Sequence, residues 1–169
     1  MSLYAYDAAY SPNLAAVKAA GGIAINGYLT GTYANTTTQP AAARTAGLGY
    51  VPTYEEGPSE LVNASRSAGQ AVGTRILTAF KAKGIPLDGS VAVYPSADVD
   101  VPGANATACN AAWQGIRDVL VGKVSVRAYA EGAVIDALAS LDLRYPEVSK
   151  AQSEELAVTK KELMASDVH

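Results

Sequence analysis

The chain predicts an α/β fold of parallel β/α repeats, on three observations. Short apolar, strand-like runs alternate with helix-like stretches through the first 141 residues. A polar or acidic residue recurs where each strand run stops. The composition, 49% apolar and 17% charged over 169 residues, is that of an ordinary globular chain, most simply one domain. Strands that alternate with helices are joined by crossovers, which makes neighbouring strands parallel.

The elements follow in order. Leu3–Tyr6 is a short apolar run closed by Asp7, and Asn13–Ala20 reads as a helix opened by Ser11-Pro12 and stopped by Gly21-Gly22. Ile23–Leu29 is the second strand run, and a polar loop, Thr30–Gln39, follows it. Pro40–Ala46 is a short helix ending at Gly47, a residue free to take the left-handed stop. Gly49–Tyr54 is the third strand, ending in Glu55-Glu56-Gly57. Ser59–Lys83 carries Leu61, Ala64, Ala68, Val72, Ile76 and Phe80 at helical spacing, with Glu60 near its start and Lys81 near its end to suit the helix dipole. Ser90–Ala97 is the fourth strand, Ala104–Leu120 the next helix, Lys123–Tyr129 the fifth strand and Gly132–Leu141 the fifth helix. Residues 1–141 therefore read as one β/α domain, and 142–169 as a charged helical tail with its helix at Ser149–Ala165.

The richest stretch is Ser90–Gly103, SVAVYPSADVDVPG. Its apolar run ends in Asp98 and Asp100, and residues two apart on an extended strand point to the same face. Turn formation and helix capping would explain both carboxylates equally well. Other strand ends carry Asp7, Tyr28, Glu55, and Tyr129 with Glu131. Parallel strands all finish at one rim, so these groups are expected to converge although they are distant in sequence.

Several functions are excluded. The net charge of −3 includes no basic block to neutralise phosphates, so no nucleic-acid partner is expected. One cysteine, Cys109, allows no internal disulfide, and one histidine, the terminal His169, leaves no ordinary Ser-His-Asp, Cys-His or zinc site. No phosphate-cradling or calcium-loop motif is present, so no cofactor is expected. No apolar run reaches the roughly 20 residues of a membrane span. The N-terminus, MSLYAYDAAY, lacks the basic region and apolar core of a secretory signal, so synthesis in the cytoplasm is expected.

The segments YDAAY, INGYL, AGLGYVPTYEEG, VYPSADVDV and VRAYAEGAVIDAL, taken in that order, resemble a glycoside-hydrolase-like domain family of bacteria and phages. That family adopts a TIM-type barrel and is distantly similar to the family 25 lysozymes. The resemblance spans roughly Tyr4–Leu138 and is strongest in AGLGYVPTYEE and PSADVDV. It implies a TIM-type barrel, here an incomplete one, and a sugar-polymer partner such as cell-wall peptidoglycan. It matches Asp7, Glu55, Asp98 and Asp100 to the family's acids, and Tyr129 to the aromatic closing the fifth strand. In the lysozyme relatives the fourth-strand pair reads Asp-x-Glu, whereas here its second member is the shorter Asp100.

Cleaving a glycosidic bond takes one protonated carboxyl to donate to the leaving oxygen and one carboxylate to stabilise or attack the anomeric carbon. On that chemistry Asp100 is the expected general acid, with Glu55 as the alternative acid and Asp98 and Asp7 as electrostatic or nucleophilic partners. Tyr28, Tyr129 and Glu131 would bind substrate. A complete eight-stranded barrel needs about 200 to 250 residues, however, and only Leu141–His169 follows the fifth unit. Three outcomes are open: a doubly wound sheet, a second copy or virion partner covering the open edge, or a piece of a longer barrel. Two functional classes follow, a muramidase-like glycosidase and a non-catalytic structural or binding subunit such as a phage decoration or tail protein.

Overall fold

The computed structural model describes residues 4–7, 10–99, 109–130, 134 and 138. Within them the order is β1 (Tyr4–Asp7), α1 (Leu14–Ala19), β2 (Gly22–Tyr28), α2 (Gln39–Thr45), β3 (Gly49–Tyr54), α3 (Arg66–Ala82), β4 (Ala92–Ala97), α4 (Asn110–Leu120), β5 (Ser125–Val126) and β6 (Tyr129–Ala130). Each strand pairs in parallel with the next, in the order β1-β2-β3-β4-β5, and β6 pairs with β4 beyond β5. A doubly wound sheet reverses its strand order at a switch point. Among the described residues this one does not, and the fold is an incomplete TIM-type barrel.

The register sorts side chains between two faces. Paired residues of a parallel sheet project to the same side, and successive residues alternate. Asp7 pairs with Asn26, Tyr28 with Thr53, Thr53 with Tyr94, and Ser96 with Tyr129, so all seven share one face. The other face carries Ile25, Tyr54, Val93 and Ala97, all at most 1% exposed. Ile25 packs with Val17 of α1 and Ala43 of α2, while Tyr54, Val93 and Ala97 pack with Phe80 of α3 and Trp113 of α4. The helices bury the apolar face and leave the polar one as the barrel lumen.

Curvature is visible in one contact. β1 and β6 lie four strand spacings apart along the sheet, which would be about 19 Å if it were flat. The Tyr129 hydroxyl nevertheless donates to Asp7 Oδ2 at 3.3 Å. Only a sheet curled around its polar face brings those ends within reach.

Two boundaries differ from expectation. The third helix begins at Arg66 rather than Ser59, because Asn63 takes a left-handed conformation (φ 58°) and Ser65 caps the first turn by accepting from the Ala68 N–H at 3.2 Å. The fifth strand is split in two, and Pro95 lies opposite the gap. Val93 accepts from Arg127 N–H, so residues of that parity face β5, and Pro95 has no N–H to offer between the two short ladders. Pro52 is accommodated the same way: Thr53 accepts from Leu29 N–H on the β2 side, leaving Pro52 turned toward β4, where pairing begins only at Thr53. Helix α4 is described from Asn110, and the expected Ala104 start lies outside the described residues. Val134 and Leu138, within the expected fifth helix, are helical and buried. The tail 142–169 also lies outside the described residues.

Helices α3 and α4 approach closely because glycine faces backbone on both. A Cβ at Gly69 would lie 2.0 Å from the Ala112 carbonyl oxygen, and one at Gly115 would lie 2.0 Å from that of Arg66. Arg66 closes the pair with two bonds to Asp118, at 2.7 and 2.8 Å.

Candidate functional site

The C-terminal ends of the strands gather a polar network on the lumen face. Asp7, at the end of β1, accepts from Asn26 Nδ2 at 3.3 Å and from the Tyr129 hydroxyl. The buried Thr53 hydroxyl donates to Asn26 Oδ1, which fixes the amide with its NH2 group toward Asp7. A carboxylate held by an oriented amide keeps one geometry at the rim.

Tyr28 joins the same group. Burial first, and then the negative charge of Asp7 with contributions from Tyr129 and Glu55, pushes its hydroxyl well above the ordinary phenol range. The phenol is therefore a proton-holding donor at all ordinary pH values. Glu55 is half-buried just past β3, close enough for its charge to act on Tyr28. The loop after β2 packs on the Glu55 backbone: at Gly31 (φ 77°) a Cβ would lie 2.4 Å from the Glu55 carbonyl oxygen. Glycine is required there twice over, by conformation and by space.

Asp7, Tyr28, Glu55 and Tyr129 thus come together from four strand ends. Asp98 follows β4, exposed, two residues past Ser96. Asp100 and Glu131 lie outside the described residues. Ser96 is 1% exposed, and its hydroxyl has no hydrogen-bond partner among the described residues. It lies beside Tyr129 in the β4–β6 register, so a donor and acceptor stands ready at the floor of the site.

Sequence reasoning missed Asn26, Thr53 and Ser96, and the signal was present. Each stands two residues before an expected rim residue, giving Asn26-x-Tyr28, Thr53-x-Glu55 and Ser96-x-Asp98. Polar residues at strand period beneath a polar strand end mark a face turned to a lumen. It also missed Tyr10 and Tyr33. Their rings meet edge to face at 5.8 Å, and Tyr33 meets Tyr28 at 6.2 Å. Among the described residues, no group of three or more His, Cys, Asp and Glu side chains is placed to hold a metal ion, and no helix is long and apolar enough to cross a membrane.

The fold is similar to that of the Mycobacterium tuberculosis Tat-secreted protein Rv2525c, whose crystal structure is a complex with HEPES. The TM-score is 0.67 at 19% identity, covering 79% of this chain and 71% of that one. It is also similar to an uncharacterized B. stearothermophilus protein, with a TM-score of 0.58 at 14% identity, covering 82% of this chain and 68% of that one. At these identities the likeness is one of fold. No family model and no curated protein matches the sequence.

Proposed function

We propose that the protein is glycoside-hydrolase-like and acts on a cell-wall glycan of the peptidoglycan type at the rim formed by Asp7, Tyr28, Glu55 and Tyr129. The observation that carries this reading is the meeting of two carboxylates and two phenols from four separate strand ends at one mouth of the barrel. In TIM-type barrels that end is where chemistry is built. The sequence resemblance to a hydrolase-like family of bacteria and phages points the same way.

In this reading Asp7 is the carboxylate that stabilises positive charge at the anomeric carbon, since it accepts from both Asn26 and Tyr129. Asn26 and Thr53 position it. The proton for the leaving oxygen comes from Asp100, with Glu55 as the alternative donor and Asp98 as the further electrostatic partner. Tyr28 and Tyr129 hold sugar hydroxyls, and Glu131 completes the binding set.

The test is release of reducing ends from purified peptidoglycan and from chitin oligosaccharides. Asp7→Asn, and the double variant Asp98→Asn with Asp100→Asn, are each expected to lower the rate at least about a hundredfold while remaining folded. Unchanged cleavage by Asp7→Asn would overturn the assignment.

A second reading rests on the open sheet. Among the described residues β1 has β2 as its one ladder partner, so its outer edge can accept another strand or subunit. The scaffold would then serve as a non-catalytic binding or structural subunit, for example in a phage particle. Glycan binding without reducing-end release, together with a multimeric mass in solution, is the result that favours it.

A further inference from the structure

Beside the carboxylates stand two rings, Tyr10 and Tyr33, that the proposed chemistry does not use. Tyr10 and Tyr33 are 58% and 47% exposed, a costly setting for large aromatic side chains. Tyr33 stands nearly perpendicular to Tyr10, at 76°, and at 60° to Tyr28, so the three rings step outward from the rim. Tyr28, beside the Asp7 carboxylate, is the innermost step.

The rings are held in place. Tyr10 adopts a left-handed backbone (φ 61°), which a tyrosine enters only at a cost, and its N–H donates to the Tyr33 carbonyl at 3.1 Å. The loop bearing Tyr33 is pinned at buried Asn35. Its N–H donates to the Tyr28 carbonyl at 2.9 Å, its side chain accepts from the Tyr50 hydroxyl at 3.2 Å, and its carbonyl accepts from the buried Lys83 ammonium. An exposed ring fixed at the expense of backbone strain marks a surface built to meet a ligand.

The chemistry of the loop selects that ligand. Residues 29–38, LTGTYANTTT, contain five threonines and no charged residue. The loop offers an aromatic face and hydroxyls and no cationic side chain, which suits a neutral molecule with one apolar face and many hydroxyls. A pyranose ring is such a molecule. A phosphate polymer would meet Asp7 and Glu55 with no cation on this loop to offset them.

We propose that Tyr10, Tyr33 and Tyr28 form an aromatic ledge that stacks the sugar unit next to the one lying over Asp7, so that the site engages at least two linked pyranose units. The proposal rests on the glycan reading of the rim and adds to it a second subsite with its own residues.

Titration calorimetry with chitin oligosaccharides of increasing length tests it. The wild-type protein is expected to bind longer oligomers more tightly than the disaccharide. Tyr10→Gly and Tyr33→Ala are expected to lose roughly tenfold in affinity for the longer oligomers and to flatten the length dependence. Tyr10→Phe, which keeps the ring, is expected to restore it. Because glycine relieves the left-handed strain, Tyr10→Gly should melt no lower than wild type, which separates a ligand-facing ring from a merely structural one. Wild-type affinity in Tyr10→Gly, alongside lost binding in Asp7→Asn, would overturn the ledge and spare the rim. A lower melting temperature in Tyr10→Gly with binding intact would also overturn the ledge. Absence of binding by the wild type to every chitin oligomer and to soluble peptidoglycan fragments would overturn both.

Discussion

Tyr28 lies beside the Asp7 carboxylate on one side and meets the Tyr33 ring edge to face on the other, and it keeps its proton there. Burial raises the pKa values of Tyr28, Tyr50 and Tyr54 above the ordinary value of 10.0, with Asp7 adding to the effect at Tyr28. The sign of the linkage follows. Below about pH 10 folded and unfolded chains both keep these protons, and the contribution to stability is fully present. Above it the unfolded chain releases them while the folded protein does not, so stability falls as pH climbs toward the folded values. Urea unfolding between about pH 9 and 11 should show this fall, and Tyr28→Phe should make it shallower. An equal slope in the variant would mean that the folded protein does not retain the Tyr28 proton.

The contact between α3 and α4 sets two effects of known size against each other. In an exposed helix, replacing glycine by alanine stabilises by about 1 kcal/mol. At Gly69 and Gly115 the new methyl would stand 2.0 Å from a backbone carbonyl oxygen of the facing helix, and backbone cannot swing aside as a side chain can. Overpacking of that kind costs about 1–3 kcal/mol, and two rigid helices put it at the upper end. Gly69→Ala and Gly115→Ala are therefore each expected to destabilise by about 2 kcal/mol net, measured by urea unfolding. A gain in stability would mean that the helices do not meet so closely. Apolar spacing correctly marked α3 as a helix, but Leu61 and Ala64 extended the pattern across a turn that Asn63 and Ser65 impose. Likewise Lys123–Tyr129 looked like one strand because nothing local to it breaks. The interruption comes from Pro95 on its neighbour, 30 or so residues earlier in the chain, a tertiary effect invisible to any reading of the strand itself.

For the molecule as a whole, strand order and curl were legible only in part. Alternation of strands and helices predicted the parallel ladders, yet it left open a doubly wound sheet. What decides for the barrel is that all the apolar packing lies on one face, with Asn26, Thr53 and Ser96 on the other. That division was written in the sequence at period two, in strands otherwise rich in small and apolar residues. The meeting of Asp7 with Tyr129, 122 positions apart, was foreseeable only from the shared strand end, and the geometry brings the pair together through curvature rather than adjacency. Tyr10 and Tyr33 were illegible because each lies in an irregular segment, where no periodicity announces which way a side chain turns.

Pro52 and Pro95 sit inside the sheet, each where its neighbour asks for no donor. Until the native pairing closes, a chain with parallel strands this far apart in sequence exposes apolar segments that other copies could recruit into fibrils. A proline in each of the two middle strands breaks the continuous run of N–H groups such stacking requires, while costing the finished barrel nothing it uses. Restoring the donor with Pro52→Val and Pro95→Val should leave the folded state intact and increase amyloid-dye-positive precipitate on dilution from urea. Clean refolding of the double variant would show that these residues do not guard the chain against its own copies.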